Sequence, residues 1–427
     1  MLRNLIASLA VFAFSLGAFA EEGDTYLTAG AMLDVESGAL IENPALVVRD
    51  GRIVALGTRS SLDAPEGATV VDLADATLLP GLMDMHVHLS GDAGGNFFAG
   101  LSYSVPRQAI VASKNARKTL MAGFTTVRDV GASGYSVIAV RDGINAGDIV
   151  GPRIFAVGHA IGITGGHCDN NFFPPEMQAK SGGAADGPWA VRAKVREQIK
   201  YGANAIKVCA TGGVFSKGTK VGVQQLSLEE LKAAVEEAHL RGLTVAAHAH
   251  GTDGIKAAIV AGVDSIEHAS FADAEAINLA KEFGTYFSMD IYNTEYTLAF
   301  GEANGVPEEN INKEKQVSKA QRDAFRAATE AGVKMVFGSD AAIYPHGDNA
   351  KQLSRMVQFG MTPIQALQAA TINAATLLKM ENDIGSLKEG YAADIIAVQG
   401  NPLDDITVLE NVGFVMMGGA VVKSPTE

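Results

Sequence analysis

From Leu82 to about residue 340, short apolar runs alternate with stretches of helical pattern, and the alternation occurs eight times. Hairpin-linked strands need only a few residues between them, whereas parallel strands need a crossover of a dozen or more, usually a helix. This spacing therefore selects repeated strand–helix units and a parallel sheet. The candidate strands are 82–88, 124–130, 153–159, 204–210, 243–248, 263–268, 284–290 and 333–339, with helical stretches at 191–201, 228–241 and 273–283. Gly123, Gly202, Gly242, Gly262, Gly284 and Gly332 each stand just before a strand. That is the place of the glycine that ends a helix in left-handed conformation. Eight such units close into a barrel. The expected fold class is α/β, a (β/α)8 TIM barrel over residues 81–380.

The flanks have another rhythm. Residues 24–80 read as short strands and turns, with Asp50-Gly51 between two apolar runs as a hairpin signal. After an expected helix at 362–380, started by Pro363, the tail returns to short strands around 393–398, 412–417 and 420–422. Segments 21–80 and 381–427 are expected to pair into one small β-sandwich. The chain has 427 residues, which suits a barrel with one accessory domain. The longest stretch outside the units, 164–190, is rich in Gly, Asn and Pro, and loops of that length are usually functional.

Residues 1–20 have the form of a signal peptide. Arg3 is the basic start, 5–17 the apolar run, and Ala18-Phe19-Ala20 the small-x-small cleavage site before Glu21. The apolar run is short for a membrane span, so export to the periplasm or outside the cell is expected, with no membrane attachment after cleavage. The formal net charge is −14, which disfavours nucleic acid and anionic membrane as partners. Two cysteines, Cys168 and Cys209, make no disulfide scaffold. One disulfide between them is possible in an oxidising compartment, but free thiols are the favoured expectation, with Cys209 in the core. Arg128 and Asp129 end strand 2 and are expected to form a structural ion pair.

The chemistry collects at strand ends. His86-Val87-His88 closes the first strand, and residues at i and i+2 face one side. In a barrel that side is the interior, at the C-terminal mouth where active sites form. Strand 5 ends in Ala247-His248, strand 6 in Glu267-His268 and strand 8 in Ser339-Asp340. Imidazoles and a carboxylate converging at one mouth form a metal-binding set. Lys207 lies inside the otherwise apolar run 205–210. A charged amine there is costly unless paired or neutralised. Reaction of the neutral amine with carbon dioxide gives a carbamate, an anion able to bridge two cations. A salt bridge to an interior acid is the structural alternative.

His86-x-His88, Lys207, His248, His268 and Asp340, in that order on strands 1, 4, 5, 6 and 8, resemble the amidohydrolase superfamily. The resemblance extends to Leu79-Pro80-Gly81-Leu82-Met83-Asp84-Met85-His86-Val87-His88, Gly123-Phe124-Thr125-Thr126-Val127-Arg128-Asp129, Ala247-His248-Ala249-His250-Gly251 and the tail 385–394. More narrowly, the chain is similar to the imidazolonepropionase-like branch that holds bacterial Xaa-Pro dipeptidases, related carboxypeptidases and ochratoxin A-hydrolysing amidohydrolases. The resemblance implies two divalent metal ions. One is held by His86, His88 and Asp340, the other by His248 and His268, with carbamylated Lys207 between them. Zinc suits these ligands, and cobalt or manganese also fit. Asp340 is implied as the proton carrier, and a homo-oligomer, an octamer among its forms, as the assembly.

Three more residues are candidates for substrate contact: His250, two after His248; His167, in the long loop after strand 3; and Tyr292, just past strand 7. Each also has an ordinary packing role available. The expected substrate is a small amide or short peptide with a free C-terminal carboxylate. Hydrolysis of a lactam, lactone or phosphotriester on the same barrel is the alternative. A non-catalytic binding protein is a third reading, disfavoured because the ligand set is complete.

Overall fold

The computed structural model describes residues 23–93 and 98–425; the expected leader at 1–20 lies outside them. All eight expected strands form, each shorter than its apolar run. They are β1 (Leu82–Val87), β2 (Phe124–Asp129), β3 (Arg153–Ala156), β4 (Ile206–Cys209), β5 (Val245–Ala249), β6 (Ser265–His268), β7 (Tyr286–Ser288) and β8 (Met335–Val336). They run parallel in two sheets ordered β3-β2-β1 and β4-β5-β6-β7-β8. Parallel bridges cross both seams, Ile161 to Val208 beyond β3 and Val87 to Ala341 beyond β8. At the first seam the Ile161 N–H donates to the Lys207 carbonyl at 2.8 Å, and at the second the Asp340 N–H donates to the His86 carbonyl at 2.7 Å. The eight strands thus follow one cyclic order with helices between them, a mixed α/β fold.

The helix ends explain why the strands fall where they do. All six glycines named above have φ between +72° and +95°, a region glycine enters without the Cβ clash that other residues meet. The expected helix at 362–380 is instead two helices, Pro363–Ala369 and Ile372–Leu377, broken at Thr371 (φ −137°, ψ −97°). The reason is competition for carbonyls. The N–H of Phe337 takes the Ala369 carbonyl at 3.0 Å and that of Met83 takes the Ala370 carbonyl at 2.8 Å. Those two oxygens serve the strands and cannot continue the helix.

The chain ends meet in two further sheets. One has four strands, all from the N-terminal segment. The other has six and joins Ile395–Gln399 antiparallel to Ala76–Pro80. Leu27, Leu46 and Ile53 of the first sheet share a buried cluster with Leu78, Ile395 and Phe414 of the second. Asp50-Gly51 is the expected turn, with φ of +49° and +77°, the two positive values of a type I′ hairpin.

The cysteines overturn the expectation of free thiols. Cys168 and Cys209 form a disulfide with Cα atoms 6.1 Å apart. The loop after β3 folds back over the end of β4, so two thiols 41 residues apart become neighbours. Among the described residues, no helix is long and apolar enough to cross a membrane.

Candidate metal centre

The C-terminal ends of β1, β4, β5 and β6, and the residues just beyond β8, converge on one cavity of about 200 Å³. His86, His88, Lys207, His248, His268 and Asp340 all line it. His86 Nε2 and His88 Nε2 lie 3.4 and 3.5 Å from Asp340 Oδ1. Three groups of donors each bring their atoms within 4.8 Å of one another: His86, His88 and Asp340; His248, His250 and His268; and His268, Asp290 and Asp340. His268 and Asp340 both sit at positive φ, +71° and +56°, where a residue with a Cβ loses about 1–2 kcal/mol. Strain of this kind collects where a side chain must be aimed at a functional site.

A second layer aims several of the imidazoles. His86 Nδ1 is 3.0 Å from Glu267 Oε2, and the other Glu267 oxygen accepts from Arg128 at 2.7 Å and Ser265 at 2.6 Å. His268 Nδ1 is 2.8 Å from Asp290 Oδ1. Asn293 donates to Asp290 at 2.9 Å and to Asp340 at 3.0 Å. His88 Nδ1 meets the Gly131 carbonyl at 3.0 Å, and His250 Nδ1 meets the Ser270 hydroxyl at 2.8 Å. Fixing one ring nitrogen in this way leaves the other as a ligand atom. Arg128 and Asp129 therefore do not form the expected ion pair. Successive strand residues face opposite ways: Arg128 reaches Glu267, while Asp129 accepts the Leu89 N–H at 2.7 Å and the Gly131 N–H at 3.2 Å.

Two atoms of the site are buried with no hydrogen-bond partner, Lys207 Nζ and His248 Nε2. Such groups are costly to leave unpaired. A Cβ on Gly213 would lie 2.6 Å from His248 Nε2, so glycine keeps the space before that nitrogen open. Burial pushes the Lys207 amine down to about 8. It also pushes the Asp340 carboxyl up to about 8, with the Asp290 carboxylate adding to the effect. Burial holds His86, His248 and His250 well below the usual imidazole range, and His88 at about 4. His268 is the exception. Burial alone would lower it, but the charge and hydrogen bond of the Asp290 carboxylate, with the Asp340 carboxylate adding, raise it. Neutral imidazoles, a readily deprotonated amine and a carboxylate at one locus are the donor set of a divalent metal site, and the two unpartnered nitrogens fit that use.

Of the expected substrate residues, the structure brings His167 and His250 to the cavity but not Tyr292. His167 stacks on His248 with ring centroids 4.0 Å apart, and its Nδ1 lies 2.9 Å from the Ser216 hydroxyl. His250 joins His248 and His268 in one of the donor groups. Tyr292 falls in the first turn of the helix Ile291–Phe300, where its ring packs edge-on against Tyr344 and under the Arg355 guanidinium. Because the chain turns helical directly after β7, that side chain leaves the mouth. Sequence reasoning missed Glu267, Asp290 and Asn293. An acid at the end of the seventh strand, matching Asp340 at the eighth, is the signal that could have found Asp290.

Residues 77–422 match the family described as the amidohydrolase family. The chain belongs to it. Over 426 aligned residues it is 35% identical to an ochratoxinase of Aspergillus niger, covering 94% of this chain and 87% of the relative. Among proteins of known structure, a Xaa-Pro dipeptidase with methionine bound in its active site is 40% identical with a TM-score of 0.88, over 94% of this chain and 100% of that one. A prolidase complexed with N-methylphosphonate-L-proline is 31% identical with a TM-score of 0.85, over 94% and 100%. The protein is an amidohydrolase-family hydrolase of amide bonds.

Proposed function

We propose that this amidohydrolase uses two divalent metals, zinc by the chemistry of its ligands, to cleave the amide joining an acyl group to a C-terminal amino acid with a free carboxylate. The released amino acid is apolar or proline. The observation that carries the reading is the pair of buried, unpartnered nitrogens, Lys207 Nζ and His248 Nε2, lining the same cavity as three groups of donors, one of which includes His248. His86, His88 and Asp340 would hold one ion, and His248 and His268 the other. Lys207 would stand between them as a carbamate, formed when its neutral amine attacks carbon dioxide, an N–C bond forms and the ammonium proton leaves to solvent. A lowered amine supports that step because more of it is neutral. When bound, the metals supply an activated water near neutral pH and polarise the scissile carbonyl.

The chain's own residues do the rest. Asp340 takes the proton of the attacking water at its carboxylate and passes it to the departing nitrogen, which leaves poorly unless protonated. Asn293, donating to Asp340 Oδ2, keeps that carboxylate in place. His167, carried by the loop after β3, receives the substrate carboxylate. The parallel strands with their bridged seams are read as one (β/α)8 barrel, and the four- and six-stranded sheets as a β-sandwich built from both ends. We also propose an exported protein beginning near Glu21, which the disulfide supports, since such bonds persist in oxidising compartments. The assembly is proposed as a homo-oligomer.

The test compares one N-acyl amino acid, or ochratoxin A itself, with its C-terminal amide. The free acid should be cleaved, yielding phenylalanine in the case of ochratoxin A, and the blocked compound should react at least tenfold more slowly. Equal rates, or reaction only with lactams, lactones or phosphotriesters, would overturn this substrate class.

A further inference from the structure

The hydrogen-bond ladder across the seam between β1 and β8 slips by one residue at the metal centre. The Met85 N–H donates to the Phe337 carbonyl at 2.8 Å. In a regular parallel ladder the Ser339 N–H would then donate to the Met85 carbonyl. Instead the Asp340 N–H donates to the His86 carbonyl, and the Met85 carbonyl accepts from Arg128 Nε at 2.7 Å. On its other side β1 breaks register with β2 between Asp84 and Val87, which leaves His86 without a partner residue there. Irregularities of this kind re-aim side chains beside active sites. They also release two buried N–H groups, of His86 and Ser339, and a buried N–H needs an acceptor.

Asp84 accepts both. Its Oδ1 takes the His86 N–H at 3.1 Å and the Ser339 N–H at 3.0 Å, and its Oδ2 takes Asn349 Nδ2 at 2.8 Å. Asn349 is fixed in turn, accepting the Gly347 N–H at 3.0 Å through its own Oδ1 and donating to Ser339 Oγ at 3.3 Å. Both side chains are buried. One carboxylate oxygen thus ties the strand that carries His86 to the residue before Asp340, which stands at φ +56°. We propose that Asp84 is a positioning residue: it sets the separation of Asp340 from His86 and His88, and with it the grip on the metal ion those three would hold. This rests on the metal reading above.

The experiment compares wild type, Asp84→Asn, and the exchange of Asp84→Asn with Asn349→Asp. Metal affinity is measured by chelator competition, kcat and KM on the metal-loaded enzyme, and thermal unfolding on the metal-free protein. Asp84→Asn keeps an oxygen for the two N–H groups but sets its amide against that of Asn349. Affinity and kcat should each fall about tenfold or more, with KM little changed. The exchange reverses the sense of the Asn349 bond, so both quantities should return to within about threefold of wild type. Should Asp84→Asn fail to fold, Asn349→Ala, which frees the carboxylate to turn, is read in its place. A residue serving only the fold would lower the unfolding temperature and leave affinity and kcat unchanged, and that result overturns the assignment. So does an exchange that regains the unfolding temperature without regaining affinity. If wild type binds no metal, the metal reading fails and the assignment falls with it. If wild type binds metal and the folded variants bind it as tightly, only the assignment falls.

Discussion

His86 is held by Glu267 and Glu267 by Arg128, while His268 is held by Asp290 and Asp290 by Gln321 and Asn293. On β4 and β5 the pattern differs, for Lys207 Nζ and His248 Nε2 end in no hydrogen bond at all. Both sets are buried, so solvation does not explain the difference. The first set is organised by the protein itself and resists disturbance through its own network. The second has no protein partners at those nitrogens, which suits the proposed metals. Breaking the two should therefore fail in different ways: the first should lose fold stability, the second ligand and activity.

The largest effect is expected at Lys207. Lys207→Ala should remove most bound metal, measured as metal per chain in the purified protein. A Lewis-acid contribution of several kcal/mol, at about 1.36 kcal/mol per tenfold, corresponds to a loss of about a thousandfold or more in kcat/KM. Thermal stability of the metal-free protein should fall little, because no native hydrogen bond is lost. Bicarbonate with a short carboxylic acid should restore part of the activity. A Lys207→Ala protein with full activity and two metals per chain would sink the carbamate bridge.

Arg128→Met attacks the organised set. It weakens the balance of the buried Glu267 charge, since the Arg128 guanidinium, 2.7 Å away and equally buried, is the main cation favouring that carboxylate, with Lys207 adding to it. Removing one member of a buried pair costs about 3–5 kcal/mol of stability. Urea unfolding of the metal-free protein should show this as a lower midpoint at similar slope, whereas Lys207→Ala should not. Equal losses in the two variants would erase the distinction between the sets.

These sets also differ in how far the sequence discloses them. Lys207 is visible because a charge interrupts an apolar strand, and the histidines because they recur at strand ends. The six glycines mark strand starts because positive φ is demanded at those positions. What stays hidden depends on partners distant in sequence. Glu267 is a charged residue beside a histidine until Arg128, 139 residues away, is brought to it. Asp290 and Asn293 acquire meaning only once β7 ends beside β6 and β8. Tyr292 misleads because whether the chain turns helical at Ile291 or continues as loop decides where that ring points, and residue type does not disclose it. The disulfide stays hidden because nothing local tells that 164–190 folds back onto β4.

The disulfide gives the next smaller effect. Cys168→Ser with Cys209→Ser should cost about 2–4 kcal/mol, mostly by freeing the unfolded chain. Because Cys168 adjoins His167, the variant should also raise KM for a free-acid substrate more than it lowers kcat. Metal content should remain near wild type, which separates this loop from the ligands it covers.

The smallest effect distinguishes charged from neutral support among the organised donors. Asp290 accepts from His268, Gln321 and Asn293, and its charge raises His268 against the effect of burial. Ser270 offers His250 only a neutral hydroxyl at 2.8 Å. Asp290→Asn keeps the side chain's size but removes the charge that makes His268 a stronger electron donor. Outer partners of this kind change metal affinity by about 10–100-fold. A neutral hydrogen bond is worth about 0.5–1.5 kcal/mol, and it supports His250, which stands beside the proposed ligands rather than among them, so Ser270→Ala should weaken metal affinity by less than about tenfold. Chelator competition on the two variants measures both numbers. Similar losses would mean that the carboxylate acts only by holding the ring in place, and that its charge adds nothing to the metal's grip.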